Sequence, residues 1–253
     1  MESLKNNLIN CPTVLTGISH EMRTHMNAIV AFSFLMKENS CNNTERNEFS
    51  NQIVSSCEQF MELFDSFLDS AKIDSGNSNV KSKICRIDNM LDDLLLEFSE
   101  VIRKEGPLGL ELVIDIRFPN SAEVLIDQNM IFRIIRSLFH NSIKNTLSGY
   151  IKIGFFCNDD KLTFYVLDSG QGYAKCKEFL NSEDMNESLT QHDDTYTAIN
   201  ISLAKKLIRI LDGTIWIEHN DVAGTGIYFS IPVKIVAGSD KNINEHVYSK
   251  VSI

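Results

Sequence analysis

No window of the 253-residue sequence approaches the run of about 20 apolar residues that a membrane helix requires. The opening, MESLKNNLINCP, lacks the basic start and apolar centre of a signal peptide, so a cytoplasmic protein is expected. The six cysteines (Cys11, Cys41, Cys57, Cys85, Cys157 and Cys176) form no CxxC pair and no metal-type spacing; reduced structural thiols are expected rather than disulfides or zinc ligands. Positive charge is also in deficit. A net charge of -10 argues against the attraction that nucleic acid or an anionic membrane exerts on a basic surface. Between Tyr173 and Asp212 there is no glycine at all.

What remains is ample for a core: 43% of the residues are hydrophobic, and the length suits one or two domains. In the first third, Ile18, Met22, Ile29, Phe32 and Met36 step by fours and threes, with His25 on the vacant seam position. After the polar break SCNNTER, Ile53, Cys57, Phe60, Phe64, Phe67 and Ala71 repeat the pattern. Two helices with one narrow apolar stripe each make a helical hairpin, and pairing of two hairpins into a four-helix bundle would bury the stripes.

Within GISHEMRTHMNAI, His20 lies about 200° round the helix from Ile18 and faces solvent, whereas His25 faces inward. A lone surface histidine is ordinarily inert. Its neighbours favour chemistry here: Glu21 can take up the imidazole proton and leave the other ring nitrogen a better nucleophile. Thr24, at i+4, shares the His20 face.

The segment from Asp74 to Lys83 breaks the helical pattern and marks a domain boundary. An amphipathic helix from Ile87 to Ile102 follows, ended by the GPLG turn. Alternation predicts strands at Leu110 to Ile116 and Val124 to Ile126, then a helix through IFRIIRSLFHNSIKNT. IKIGFF and KLTFYVLD form a hairpin, a helix covers Ala198 to Leu211, and TIWIE and GIYFSIPV close the order. The expected class is α+β: the helical hairpin, then a mixed sheet of about five strands with helices on one face, a two-layer sandwich. The polar stretch from Gly238 to Ile253 is expected to be loose.

In FHNSIKNT, Asn141 offers an amide oxygen to a hard cation such as Mg²⁺, and Lys144, at i+3, can meet a phosphate. The competing reading is a solvated polar face. In LDSGQGY, Asp168 at a strand end can accept a hydrogen bond from an exocyclic amine, and Gly170 and Gly172 admit a flat ligand close to the backbone. Taken alone, that motif is as well explained by a plain turn.

The order of these parts is specific. GISHEMRTHMNAI resembles the H box of sensor histidine kinases, and LDSAKIDSG the end of their second dimerisation helix. FHNSIKNT resembles the N box, VLDSGQGY the first glycine box, and LAKKLIRILDGTIWIEHNDVAGTGIYFSIPV the stretch from the second glycine box to the last strand. The resemblance spans about residues 12 to 234 and implies a dimerisation and phospho-acceptor domain at 1–76, an ATP-binding domain of the GHKL (Bergerat) type at 84–236, and a polar tail at 237–253. It implies His20 as the phospho-acceptor, Glu21 as its base, and Thr24 as the residue that orients water when the partner regulator is dephosphorylated. It further implies Asn141 as the Mg²⁺ ligand, Lys144 and Asn145 in the ATP site, and Asp168, Gly170 and Gly172 around adenine. The implied partners are a response regulator receiver domain and a second copy, paired through residues 12–75.

The sequence departs from the family at several points. His25 replaces a proline, Ser137 the first asparagine of the N box, and Ile227 a Ser or Thr that helps recognise adenine. Ala198 and Asn200, within YTAINI, stand where two glycines let backbone amides close over phosphates at a helix N-terminus. Two functional classes follow: an active ATP-dependent histidine kinase, alone or as the core of a longer sensor, and a nucleotide-impaired member retaining phosphotransfer, regulator dephosphorylation or scaffolding.

Overall fold

A computed structural model describes residues 12–38, 41–76, 79–107, 109–117, 123–158, 160–181, 195–220, 224–237 and 247–252. The chain divides into two compact units, Met1–Asn77 with Ser182–Ile199, and Ser78–Asn181 with Asn200–Ile253.

The first unit is built on a helical hairpin, α1 (Pro12–Leu35) and α2 (Asn43–Asp74). A capping box starts α2: the Asn42 side chain accepts from the Glu45 amide, and the Glu45 carboxylate accepts from the Asn42 amide, each at 2.9 Å. On α1 the expected seam holds, with Ile18 buried and Met22, His25, Ile29, Phe32 and Met36 half-buried. On α2 the covered line runs through Ser56, Leu63 and Ser70, while Cys57 and Phe64 of the expected stripe are exposed. Leu63 packs with Ile18 of α1 and with Ile199, and Met22, Phe67 and Tyr196 lie against that cluster. Met26, Val30 and Phe34, at successive i+4 positions of α1, and Val54, Met61 and Phe64 of α2 remain exposed as large apolar side chains.

The second unit contains a six-stranded sheet in the order β6-β7-β5-β4-β2-β9: β2 (Leu110–Arg117), β4 (Gly149–Asn158), β5 (Lys161–Asp168), β6 (Thr214–Asn220), β7 (Gly224–Pro232) and β9 (Val247–Ser252). Only β2 and β4 pair in parallel. Helices α3 (Ile87–Glu105) and α4 (Gln128–Asn145) bring Met90, Leu94, Phe98, Ile131, Ile135 and Phe139 into the core, where the Phe98 and Phe139 rings stack at 3.8 Å. Alternate residues of the strands, including Ile153, Phe164 and Phe229, are buried as well. Helix α5 (Tyr173–Asn181) follows β5, and α6 (Thr195–Ile210) belongs to the first unit up to Ile199 and to the second from Asn200.

Two strands that the alternation does not announce, β1 (Lys83–Arg86) and β8 (Lys234–Ala237), appear on either side of the expected β3 (Glu123–Ile126), and the three form a separate sheet. β7 ends at Pro232, which has no amide to donate, and two residues later the chain joins this second sheet as β8. The expectation of a wholly loose C-terminal tail is corrected: Val247–Ser252 adds to the edge of β2 as an antiparallel strand, its backbone supplying the pairing that its polar side chains conceal.

One row across the large sheet ties five strands together. Asp115, Gly154, Tyr165, Tyr228 and Trp216 are directly opposed in register. Gly154 leaves room for the Tyr165 ring to reach across β4 and donate its hydroxyl to Asp115 Oδ2 at 2.6 Å, both groups being buried. Tyr165→Phe removes that donor from a buried carboxylate, so the unfolding free energy should fall by about 1–3 kcal/mol in chemical denaturation. An unchanged midpoint would exclude this role for the row.

Candidate nucleotide and phospho-acceptor sites

His20 lies on α1 and is exposed, on the face opposite the seam as the periodicity predicts. Thr24 Oγ1 donates to the His20 main-chain carbonyl at 3.1 Å, which fixes the hydroxyl one turn from the imidazole. Glu21 is half-buried beside it.

In the second unit, the end of α4 meets the turn after β5. Asp168 is 1% exposed and gathers three donors. Its Oδ1 accepts from the Gly170 amide at 3.0 Å and the Thr225 amide at 3.3 Å, and its Oδ2 from Ser142 Oγ at 2.9 Å. Burial pushes the carboxyl above the ordinary aspartate range, and hydrogen bonds from Ser142, Gly170 and Thr225 oppose that push. Each carboxylate oxygen offers two lone pairs, so Oδ2 retains one for a further donor. Thr146, next to Asn145, is fully buried, and its Oγ1 has no hydrogen-bond partner among the described residues. An unpaired buried hydroxyl against Gly170 and a carboxylate with acceptor capacity to spare fit the polar edge of a bound base or its attendant water.

Gly170 and Gly172 act first against α4. A Cβ on Gly170 would collide with the Asn145 carbonyl and come within 2.6 Å of Thr146 Oγ1; one on Gly172 would lie 3.1 Å from Asn145 Cβ. Their lack of side chains lets the turn press on the helix end, where the Gln171 amide donates to the Asn145 carbonyl at 3.1 Å. Asn141 is buried beside them. Its Nδ2 donates to Cys176 Sγ on α5, and Asn145 Nδ2 donates to its Oδ1. Asn145 therefore directs its amide at Asn141. Lys144, at i+3 from Asn141, is exposed.

Asn141, Asn145, Asp168, Gly170 and Gly172 thus come together, and Ser142, Thr146, Cys176 and Thr225 join them without having been singled out in sequence. Ile227, at the departure from the family pattern, is 1% exposed in the core, and the Thr225 amide, opposite Asp168 in the register of β5 and β7, bonds the carboxylate. The directness of that pairing was available in principle, since Thr225 and Asp168 end two neighbouring strands. In the lid stretch, α6 already begins at Thr195, three residues ahead of Ala198, and Ala198 and Asn200 are both buried. Residues 182–194 of the glycine-free stretch lie outside the described residues. None of the five described cysteines is in a disulfide; Cys11 lies outside the described residues.

Comparison with known proteins matches two parts of the chain to domain families. Residues 13–76 match the His Kinase A (phospho-acceptor) domain, and residues 126–235 match the histidine kinase-, DNA gyrase B-, and HSP90-like ATPase family. The chain is similar to the autoinducer 2 sensor kinase/phosphatase LuxQ of Vibrio vulnificus, 25% identical over 228 residues, covering 87% of this chain and 26% of that protein. It is also similar to hybrid signal transduction histidine kinase B of Dictyostelium discoideum, 29% identical over 236 residues, covering 87% of this chain and 11% of that protein. The chain therefore spans about a quarter or less of the length of these two relatives. The fold is shared with the histidine kinase ThkA, solved in complex with the response regulator TrrA, at a TM-score of 0.65 and 20% identity, covering 91% of this chain and 64% of that one. No described helix is long and apolar enough to cross a membrane.

Proposed function

Because the chain belongs to the sensor histidine kinases, carrying their phospho-acceptor hairpin and GHKL-type ATPase domain, we propose that it is a cytoplasmic two-component kinase core. It would move the γ-phosphoryl group of Mg-ATP to His20 and then to an aspartate of a response regulator. The observation that carries this reading is Asp168, a buried carboxylate held by three donors, one of them the amide of Gly170, with one acceptor position left.

Bound Mg-ATP supplies the phosphoryl group and the cation that offsets its charge. The residues of this chain do the rest. Asp168 accepts from the adenine amine, Gly170 and Gly172 hold that carboxylate against α4, Asn141 offers its Oδ1 to the cation, and Lys144 extends an ammonium toward phosphate. At His20 a ring nitrogen forms the new N–P bond as the bond from the γ-phosphorus to the departing ADP oxygen breaks, and Glu21 receives the imidazole proton. Thr24 places its hydroxyl where a water attacking the phosphorylated regulator would stand. The ThkA complex with its regulator supports a receiver domain as the partner. Titration of the wild-type chain with Mg-ATP in a calorimeter tests the reading: saturable binding is expected, and the absence of any heat of binding would overturn it.

The domains we assign are residues 1–76 for dimerisation and phospho-acceptance and 84–236 for ATP binding. Dimerisation through residues 12–75 is supported by the uncovered apolar row Met26, Val30 and Phe34 with Val54, Met61 and Phe64. The double variant Met61→Glu, Phe64→Glu should sediment as a monomer at concentrations where wild type is a dimer. A dimer that survives both charges would show that this face is not the interface.

A further inference from the structure

The Asn141 carboxamide is gripped at both ends. Its Nδ2 donates to Cys176 Sγ at 3.1 Å, and its Oδ1 accepts from Asn145 Nδ2 at 3.3 Å. Asn145 Nδ2 also donates to the Asn141 main-chain carbonyl at 2.7 Å, so the Asn145 amide is itself held. Asn141 is 1% exposed and Cys176 is fully buried.

A carboxamide has one oxygen and one NH₂ of nearly the same shape, and only the oxygen can bind a hard cation. Turning the group over would set its NH₂ against the NH₂ of Asn145, donor on donor. The held Asn145 amide therefore selects one of the two orientations, and in that orientation the sulfur is the acceptor that pairs the Asn141 NH₂. Cys176 sits on α5 and its own amide donates to the Gly172 carbonyl at 3.0 Å, so the turn that carries Gly170 and Gly172 and the helix that carries the thiol are one connected piece.

We propose that Cys176 is a positioning residue for the metal: as the acceptor for Asn141 Nδ2, it keeps Asn141 Oδ1 turned toward the cation that accompanies the nucleotide. This rests on the reading of Asn141 as the cation ligand given above. Loss of a partner that orients a metal ligand typically lowers metal affinity about 10–100-fold.

The test is the affinity of the full chain for ADP, measured by calorimetry with excess Mg²⁺ and again with EDTA. The ratio of the two affinities reports the metal alone. Cys176→Ala should lower that ratio roughly tenfold and leave the EDTA affinity unchanged. Cys176→Ser, which keeps an acceptor at the same place, should restore it. Asn145→Ala removes the other grip and should also lower the ratio, which keeps the idea testable if the alanine at 176 does not fold. A wild-type ratio in Cys176→Ala or Asn145→Ala, or equal losses in the serine and alanine variants, overturns the proposal. ADP binding by wild type that does not depend on Mg²⁺ overturns it alone; no ADP binding in either condition overturns the nucleotide reading and this inference with it.

Discussion

Asp168→Asn should leave the ATPase domain folded and lower adenine-nucleotide affinity at least about 100-fold, because a site built around a hydrogen bond discriminates strongly once that bond is reversed. The folding half of this expectation follows from the donor set. Two backbone amides converge on Oδ1, so the asparagine oxygen takes that place, and its NH₂ faces Ser142, whose hydroxyl can rotate to accept. Binding fares worse: an adenine amine would meet an NH₂ where it now meets a carboxylate. Asp168→Ala is a poorer probe, since it strands three donors in the interior and loses stability as well. Unaltered nucleotide affinity in a folded Asp168→Asn protein would remove Asp168 from the site.

The same carboxylate gives two pH dependences of opposite sign. Its folded-state pKa is raised, chiefly by burial, so the native carboxyl binds its proton more readily than the unfolded one. Its contribution to stability is therefore complete below the unfolded pKa and is lost as pH rises through the folded pKa. Nucleotide binding needs the ionised form, and its affinity should fall as pH drops through that raised value. Comparing wild type with Asp168→Asn isolates both slopes from those of other carboxylates. A binding profile that is flat for wild type across the acid range would contradict the assignment.

Local pattern and motif order made much of the molecule legible. The seam on α1, the outward face of His20, the amphipathic α3 and α4 and the alternation of β2, β5 and β7 all follow from spacing within one element, which a sequence displays directly. What was missed depends on partners distant in sequence. β1 and β8 are short and owe their existence to pairing with β3, and β9 to the open edge of β2. Ser142 was hidden beside Asn141 because its importance lies in reaching Asp168, 26 residues on. Cys176 read as an ordinary buried thiol, and only the packing of α5 on α4 turns it toward Asn141. On α2 the heptad pointed to Cys57 and Phe64, yet the buried line runs through Ser56, Leu63 and Ser70, and Leu63 packs with Ile18 and Ile199, the latter more than 130 residues on in the sequence.

His20→Gln carries the largest effect of all. Glutamine suits a helix, and His20 is exposed, so the variant should fold like wild type; it has no ring nitrogen with which to form an N–P bond. Incubation with γ-labelled ATP and Mg²⁺ should put acid-labile label on wild type and leave His20→Gln at background. Wild type that binds Mg-ATP yet takes up no label, or a glutamine variant labelled as strongly as wild type, would contradict the claim that His20 receives the phosphoryl group.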